Sequence, residues 1–98
     1  MAYMIVEGSA RPDSRTGLVA RHLAGALEAE GGRAAQRFAP AAYLNALTDG
    51  AVAGGPVEAF QPVVEQVAAA EGVILVTPEY HGSQSGVMKL VLDNLGYP

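Results

Sequence analysis

The sequence predicts an α/β fold in which a parallel sheet is crossed by helices. Three observations carry this. Short apolar runs alternate with segments of helical periodicity in the order strand, helix, strand, helix, strand, helix, and such alternation argues for parallel strands joined by crossover helices. The run Gly72-Val73-Ile74-Leu75-Val76-Thr77 is continuous, apolar and rich in β-branched residues, as suits a parallel strand buried on both faces. The first and third strands each lead into a polar loop containing glycine, at the end of the sheet where ligands of such folds bind.

Tyr3-Met4-Ile5-Val6 forms the first strand, closed by Gly8. Arg15 to Glu30 follows as a helix, because Val19, Leu23, Ala26 and Leu27 recur with the spacing of one helical face. Gly31-Gly32 supplies a stop, since glycine accepts the left-handed cap conformation. Arg33 to Phe38 alternates weakly and is read as the second strand. Ala39 to Pro56, rich in alanine and glycine, is read as a long connection, of the kind that is usually functional or mobile. A second helix runs from about Val57 to Ala70, with Pro62 tolerated in its first turn. The third strand follows, and Met88, Val91, Leu92 and Leu95 mark the face of a third helix.

Composition excludes much. The chain has 98 residues, which is one small domain or part of a larger one. Six basic against ten acidic residues give a net charge of −4, which argues against nucleic-acid or membrane-surface binding. Half the residues are apolar, enough to build a core. The absence of cysteine excludes disulfides, thiolate metal sites and cysteine nucleophiles. Apolar runs fall far short of the roughly 18 residues of a membrane span, and no leader pattern opens the chain. A cytoplasmic, soluble protein is expected.

Two loops carry the candidate chemistry. Gly8-Ser9-Ala10-Arg11-Pro12-Asp13-Ser14-Arg15-Thr16 joins a buried strand to a helix N-terminus, whose free N–H groups and partial positive charge favour phosphate. Ser9, Ser14 and Thr16 add hydroxyls, and Arg11 adds a planar charged donor. The same residues also suit a capped turn with a solvated arginine. Thr77-Pro78-Glu79-Tyr80-His81-Gly82-Ser83-Gln84-Ser85-Gly86 leaves the most hydrophobic strand. Its glycines allow close approach to a flat ligand, and Tyr80 and His81 offer ring faces. Composition alone slightly favours an ordinary polar loop with Ser85 capping the last helix. Elsewhere, His22 reads as a solvated helix residue, Glu7 as a solvent-facing strand end and Asp49-Gly50 as a turn. Lys89 and Asp93 are spaced to pair along one helix.

Taken together, Gly8-Ser9-x-Arg11-x-x-Ser14 and Thr77-Pro78-Glu79-Tyr80-His81-Gly82-Ser83-x-x-Gly86-Val87-x-Lys89 resemble the NADPH-dependent FMN reductases, flavodoxin-like flavoproteins that include quinone, azo-dye and chromate reductases. The likeness covers nearly the whole chain in element order. It implies a three-layer α/β/α sandwich with a parallel sheet, truncated here to about three strands in the order 2-1-3. It implies FMN as cofactor and NAD(P)H as co-substrate. By the resemblance, Ser9, Arg11 and Ser14 hold the FMN phosphate, with the backbone around Arg15 and Thr16 completing the cradle. Pro78, Glu79, Tyr80, His81 and Gly82 contact the isoalloxazine ring, largely through backbone groups. No side chain is assigned as a catalytic acid or base. The chain departs from the family at position 81, often asparagine there, and at Leu90, where asparagine commonly follows the lysine. It is also about half the usual length, as though it were the N-terminal part of a longer domain.

The resemblance therefore implies an oxidoreductase passing hydride from NAD(P)H through FMN to a quinone or similar small acceptor. A rival reading is a truncated binding or assembly module without catalytic activity. A flavodoxin-type electron carrier is a third, against which the arginine of the first loop weighs. With no further strand beside it, Val73 to Val76 would be a flat, apolar sheet edge, a template for association, so a homo-oligomer is expected.

Overall fold

A computed structural model describes residues 3–31 and 34–95. Its elements are strand β1 (Tyr3–Glu7), helix α1 (Arg15–Gly31), strand β2 (Ala35–Phe38), a 3₁₀ turn (Pro40–Tyr43), helix α2 (Leu44–Ala53), a second 3₁₀ turn (Glu58–Phe60), helix α3 (Gln61–Ala69), strand β3 (Gly72–Val76), strands β4 (Glu79–Tyr80) and β5 (Ser83–Gln84), and helix α4 (Gly86–Asn94). Gly32 and Arg33, read as helix stop and strand start, lie outside the described residues.

The main sheet runs β2-β1-β3, and both pairings are parallel. Strand alternation sends Met4 and Val6 to one face and Ile5 to the other. Met4 and Val6 pack with Phe38, Leu47, Phe60, Val63, Met88 and Val91, which places α2, α3 and α4 on one side of the sheet. Ile5 packs against Ala20 and Ala24 of α1 on the other. The three-layer arrangement and strand order expected from sequence are both present. Phe38, Tyr43 and Phe60 meet edge-on or tilted, with ring centroids 5.2–6.0 Å apart, and anchor the two 3₁₀ turns to the end of β2.

Three expectations need correction. The stretch read as a long connection holds α2, whose Leu47 and Gly50 are buried. Its inward face is carried by one leucine and small residues, so it left a faint periodic signal, and Asp49-Gly50 lies inside a helix rather than in a turn. In α1 the buried residues are Thr16, Gly17, Ala20 and Ala24, with Leu23 and Leu27 half-buried at the edge; Val19 is exposed and so is Ala26. Small side chains let α1 lie close to β1, and bulk was the wrong guide to its inner face. Finally, β3 is not buried on both faces. Val73 and Leu75 are 42% and 46% exposed. They pair in register with Met4 and Val6 and share their face, but the helices on that side cover β1 more fully than β3. The edge of β3 away from β1 has no strand partner among the described residues.

Candidate functional site at the strand ends

The chain leaves β1 through Gly8, whose N–H donates to the Val76 carbonyl at 2.8 Å. A Cβ at Gly8 would sit 3.0 Å from Met88 Cβ, Met88 Cε and Thr77 Oγ1, so glycine lets α4 begin against this turn. Ser85 joins the two loops. Its Oγ donates to the Gly8 carbonyl at 2.6 Å and accepts the Met88 N–H at 3.0 Å as the N-cap of α4. Its own N–H donates to Thr77 Oγ1 at 3.1 Å. The expected cap is therefore present, and it also fastens the loop after β1 to the loop after β3.

In the first loop, Ser9 Oγ accepts the Arg11 N–H at 3.3 Å and Ser14 Oγ accepts the Gly17 N–H at 2.9 Å. The first helical bond of α1 runs from Leu18 N–H to Ser14 O, which leaves the N–H groups of Arg15 and Thr16 ahead of it. Asp13 takes a left-handed conformation, φ 56°, which a short polar side chain tolerates. The second loop is a hairpin: Glu79 pairs with Gln84 and Tyr80 with Ser83. His81 and Gly82 form its two-residue tip with φ 53° and 79°. Positive φ at both positions marks a type I′ turn. That turn was hidden in the sequence because histidine stands where asparagine is the usual signal.

Between the loops lies a cavity of about 460 Å³, lined by Ser9, Arg11, Asp13, Ser14, Arg15, Thr16, Pro78 and Tyr80. It brings together seven of the residues expected from sequence. Glu79, His81 and Gly82 are exposed in the hairpin and outside that lining. Asp13 lines the cavity and was not singled out beforehand. Glu7, expected to face solvent, is 3% exposed; Arg37 Nε donates to its Oε2 at 2.7 Å. The partner lies 30 residues away, so nothing local in the sequence disclosed the pair. His22 is exposed, and Lys89 pairs with Asp93 as the spacing indicated. No group of three or more metal-ligating side chains occurs among the described residues, and no helix there is long and apolar enough to cross a membrane.

Comparison with known proteins agrees with this architecture. The family model for NADPH-dependent FMN reductases matches residues 1–98. The chain belongs to the NADPH-dependent FMN reductase family. It is 35% identical over 95 residues to an NADPH azoreductase of Bacillus sp. (strain OY1-2), covering 97% of this chain and 50% of that protein. Its fold matches a crystal structure of an NADH:FMN oxidoreductase in its apo form with a TM-score of 0.80, at 22% identity, over 94% of this chain and 48% of that one. The chain thus spans about half the length of these relatives. Within the family framework, Leu90 stands where asparagine is common. Here it packs against the core, and its carbonyl accepts Asn94 Nδ2 at 2.9 Å.

Both ends of an FMN reductase site can be tested against this geometry. The Ser9 and Ser14 hydroxyls use their oxygens to accept backbone N–H groups, which leaves each O–H proton free for an oxyanion. The Arg15 and Thr16 N–H groups at the start of α1 supply further donors. The Arg11 guanidinium has no partner among the described residues. Donors of this kind around one cavity suit a phosphate monoester. Tyr80, 51% exposed, and Pro78 at the opposite wall suit a flat ring.

Proposed function

We propose that this chain is the phosphate- and ring-binding part of an FMN-dependent NAD(P)H oxidoreductase that reduces a quinone or similar small acceptor. The observation that supports this best is the cavity between the two stitched loops, with hydroxyl, guanidinium and helix N-terminal donors at one wall and Tyr80 and Pro78 at the other. Ser9, Arg11 and Ser14 hold the phosphate, helped by the Arg15 and Thr16 backbone. Pro78, Glu79, Tyr80, His81 and Gly82 flank the isoalloxazine. When bound, FMN supplies the redox chemistry, taking hydride from NAD(P)H and delivering it to the acceptor. The protein's part is to orient, through a backbone held in place by Ser85 and Thr77. We assign residues 1–98 to one flavodoxin-like domain or its N-terminal part, in a cytoplasmic homo-oligomer.

Fluorescence titration with FMN tests the assignment. Arg11→Ala should weaken binding by about 1.5–3 kcal/mol, the range for a hydrogen bond to a charged group, and Ser9→Ala by less. Equal affinity in wild type and Arg11→Ala would remove the phosphate assignment. NAD(P)H oxidation with FMN and a quinone, with ping-pong kinetics, is the corresponding activity. A second reading, a binding or assembly module without catalysis, draws on the exposed Val73 and Leu75 of β3. A flavin-loaded protein inert toward both nicotinamide cofactors would favour it.

A further inference from the structure

A carboxylate is buried at the end of the sheet where the anion donors gather, and the proposed function gives it no role. Glu7 ends β1 and is 3% exposed. Alternation along β1 puts it on the α1 face of the sheet with Ile5, not with Met4 and Val6. Lower on that face Ile5 packs against Ala20 and Ala24. One step nearer the site the contact becomes polar: a Cβ at Gly17 would lie 3.4 Å from Glu7 Oε1 and 3.3 Å from Ser14 Oγ. Glu7 therefore reaches the first turn of α1, beside the hydroxyl that accepts the Gly17 N–H.

That position sets a carboxylate against a bound phosphate. The free N–H groups and positive end of a helix attract any anion near its first turn, and Glu7 is an anion attached to the chain. Arg37 holds it elsewhere. Strand β2 sets Arg37 beside Ile5 in parallel register, so its side chain shares the face of Glu7, and its Nε donates to Glu7 Oε2 at 2.7 Å. We propose that Arg37 is a positioning residue for the anion cradle. It pins Glu7 toward β2 and cancels its charge, which keeps the protein's own carboxylate from competing with the FMN phosphate for the donors of α1. This role rests on the phosphate assignment of the proposed function.

Two features favour it over a simple tie between strands. The first is energetic. Strands β1 and β2 are already joined from Tyr3 to Val6, and a buried ion pair gives little net stability compared with apolar side chains of similar size. The second is location. Glu7, Gly17 and Arg37 line a cavity of about 440 Å³ on the β2 side of the first loop, while Ser9 and Ser14 line both this cavity and the one assigned to the flavin. The pair is thus one loop away from the phosphate donors. The Arg37 side chain is 31% exposed, whereas Glu7 is buried, so removing Arg37 leaves a carboxylate that water does not screen. Arg21 also lines this cavity; capture of the released carboxylate by Arg21 is the competing outcome, and it would leave phosphate binding intact.

Fluorescence titration of the full chain with FMN and with riboflavin, which lacks the phosphate, tests this. Wild type should prefer FMN. Arg37→Gln should weaken FMN binding about tenfold, the scale of one poorly screened charge near the ligand, with riboflavin affinity unchanged. Arg37→Lys should keep part of the FMN affinity. Glu7→Gln should bind FMN at least as tightly as wild type, and Glu7→Gln combined with Arg37→Gln should return FMN affinity to within about threefold of wild type. Arg37→Gln leaves a buried charge unpaired and threatens the fold. Glu7→Gln and the double variant carry no such charge, and a tenfold loss of FMN affinity in either would overturn the role. So would an Arg37→Gln protein with wild-type FMN affinity, or one that loses FMN and riboflavin alike, which marks a structural effect. A wild type that binds riboflavin as tightly as FMN would overturn the phosphate assignment itself, and this role with it.

Discussion

Replacing Ser85 with alanine removes the hydroxyl that fastens the two loops. Ser85 is 2% exposed, so water does not readily substitute for it. The hydroxyl's two shortest bonds vanish together, the cap to Met88 N–H at 3.0 Å and the bond to the Gly8 carbonyl at 2.6 Å, along with a longer one from Thr77 Oγ1. Loss of an N-cap costs about 1 kcal/mol. Leaving the buried Gly8 carbonyl without its donor adds about 1–2 kcal/mol. The expected loss is about 2–3 kcal/mol. At a urea m-value of about 1 kcal/mol/M, that lowers the unfolding midpoint by roughly 2–3 M with m unchanged. Ser83→Ala is the control. Its hydroxyl bonds Gln84 in an exposed hairpin, and its loss should stay within about 0.5 kcal/mol. Ser85→Ala should also weaken FMN binding several-fold, because both walls of the cavity shift. A Ser85→Ala protein as stable as Ser83→Ala would show that the loops are held by packing, and that the hydroxyl bridge contributes little.

Three further outcomes follow from particular contacts. His81→Asn should raise the thermal midpoint by a few degrees, because asparagine accepts positive φ at the first position of a type I′ turn more readily than histidine; an unchanged or lower midpoint would count against the turn assignment. Gly50→Ala should destabilise the chain despite the roughly 1 kcal/mol that alanine gains over glycine in a helix, since its Cβ would collide with Asn94 Oδ1, and chemical denaturation would register any net gain as a refutation. The 98-residue chain should sediment above monomer mass at micromolar concentration, with Val73→Lys reducing association, because β3 has no strand partner on its outer side among the described residues and exposes Val73 and Leu75; a stable monomer would refute it.

The parts of this fold that were legible in the sequence are those encoded locally. The β1 and β3 runs, the start of α1 and the Ser85 cap each lie within a few residues of the signal that marks them. What escaped is held by distant partners or by small residues. Glu7 reads as a strand end in solvent until β2 brings Arg37 to it. The helix α2 is seated by Leu47 and by the backbone approach that Gly50 permits. Asn94 reaches across from α4, with its Nδ2 donating to the Leu47 carbonyl at 3.1 Å, and none of this produces a hydrophobic stripe. The inner face of α1 was misread for the same reason, because Gly17, Ala20 and Ala24 bury backbone proximity rather than bulk.

The same distinction orders the candidate site. The residue types suited to binding phosphate were visible as a motif, since a hydroxyl or guanidinium advertises its chemistry wherever it lies. The residues that set its shape were not. Gly8, Thr77 and Ser85 contribute no group to the cavity between the loops, yet one admits α4, one receives the Ser85 N–H and one ties β1 to α4. A binding site needs its donors held at fixed separations before the ligand arrives, because ordering them afterwards costs affinity. In this chain that ordering comes from three short polar bonds and a missing Cβ at the sheet's end. Substitutions at these supporting positions should therefore move FMN affinity and stability together, whereas Arg11→Ala, whose side chain has no partner among the described residues, should move affinity alone.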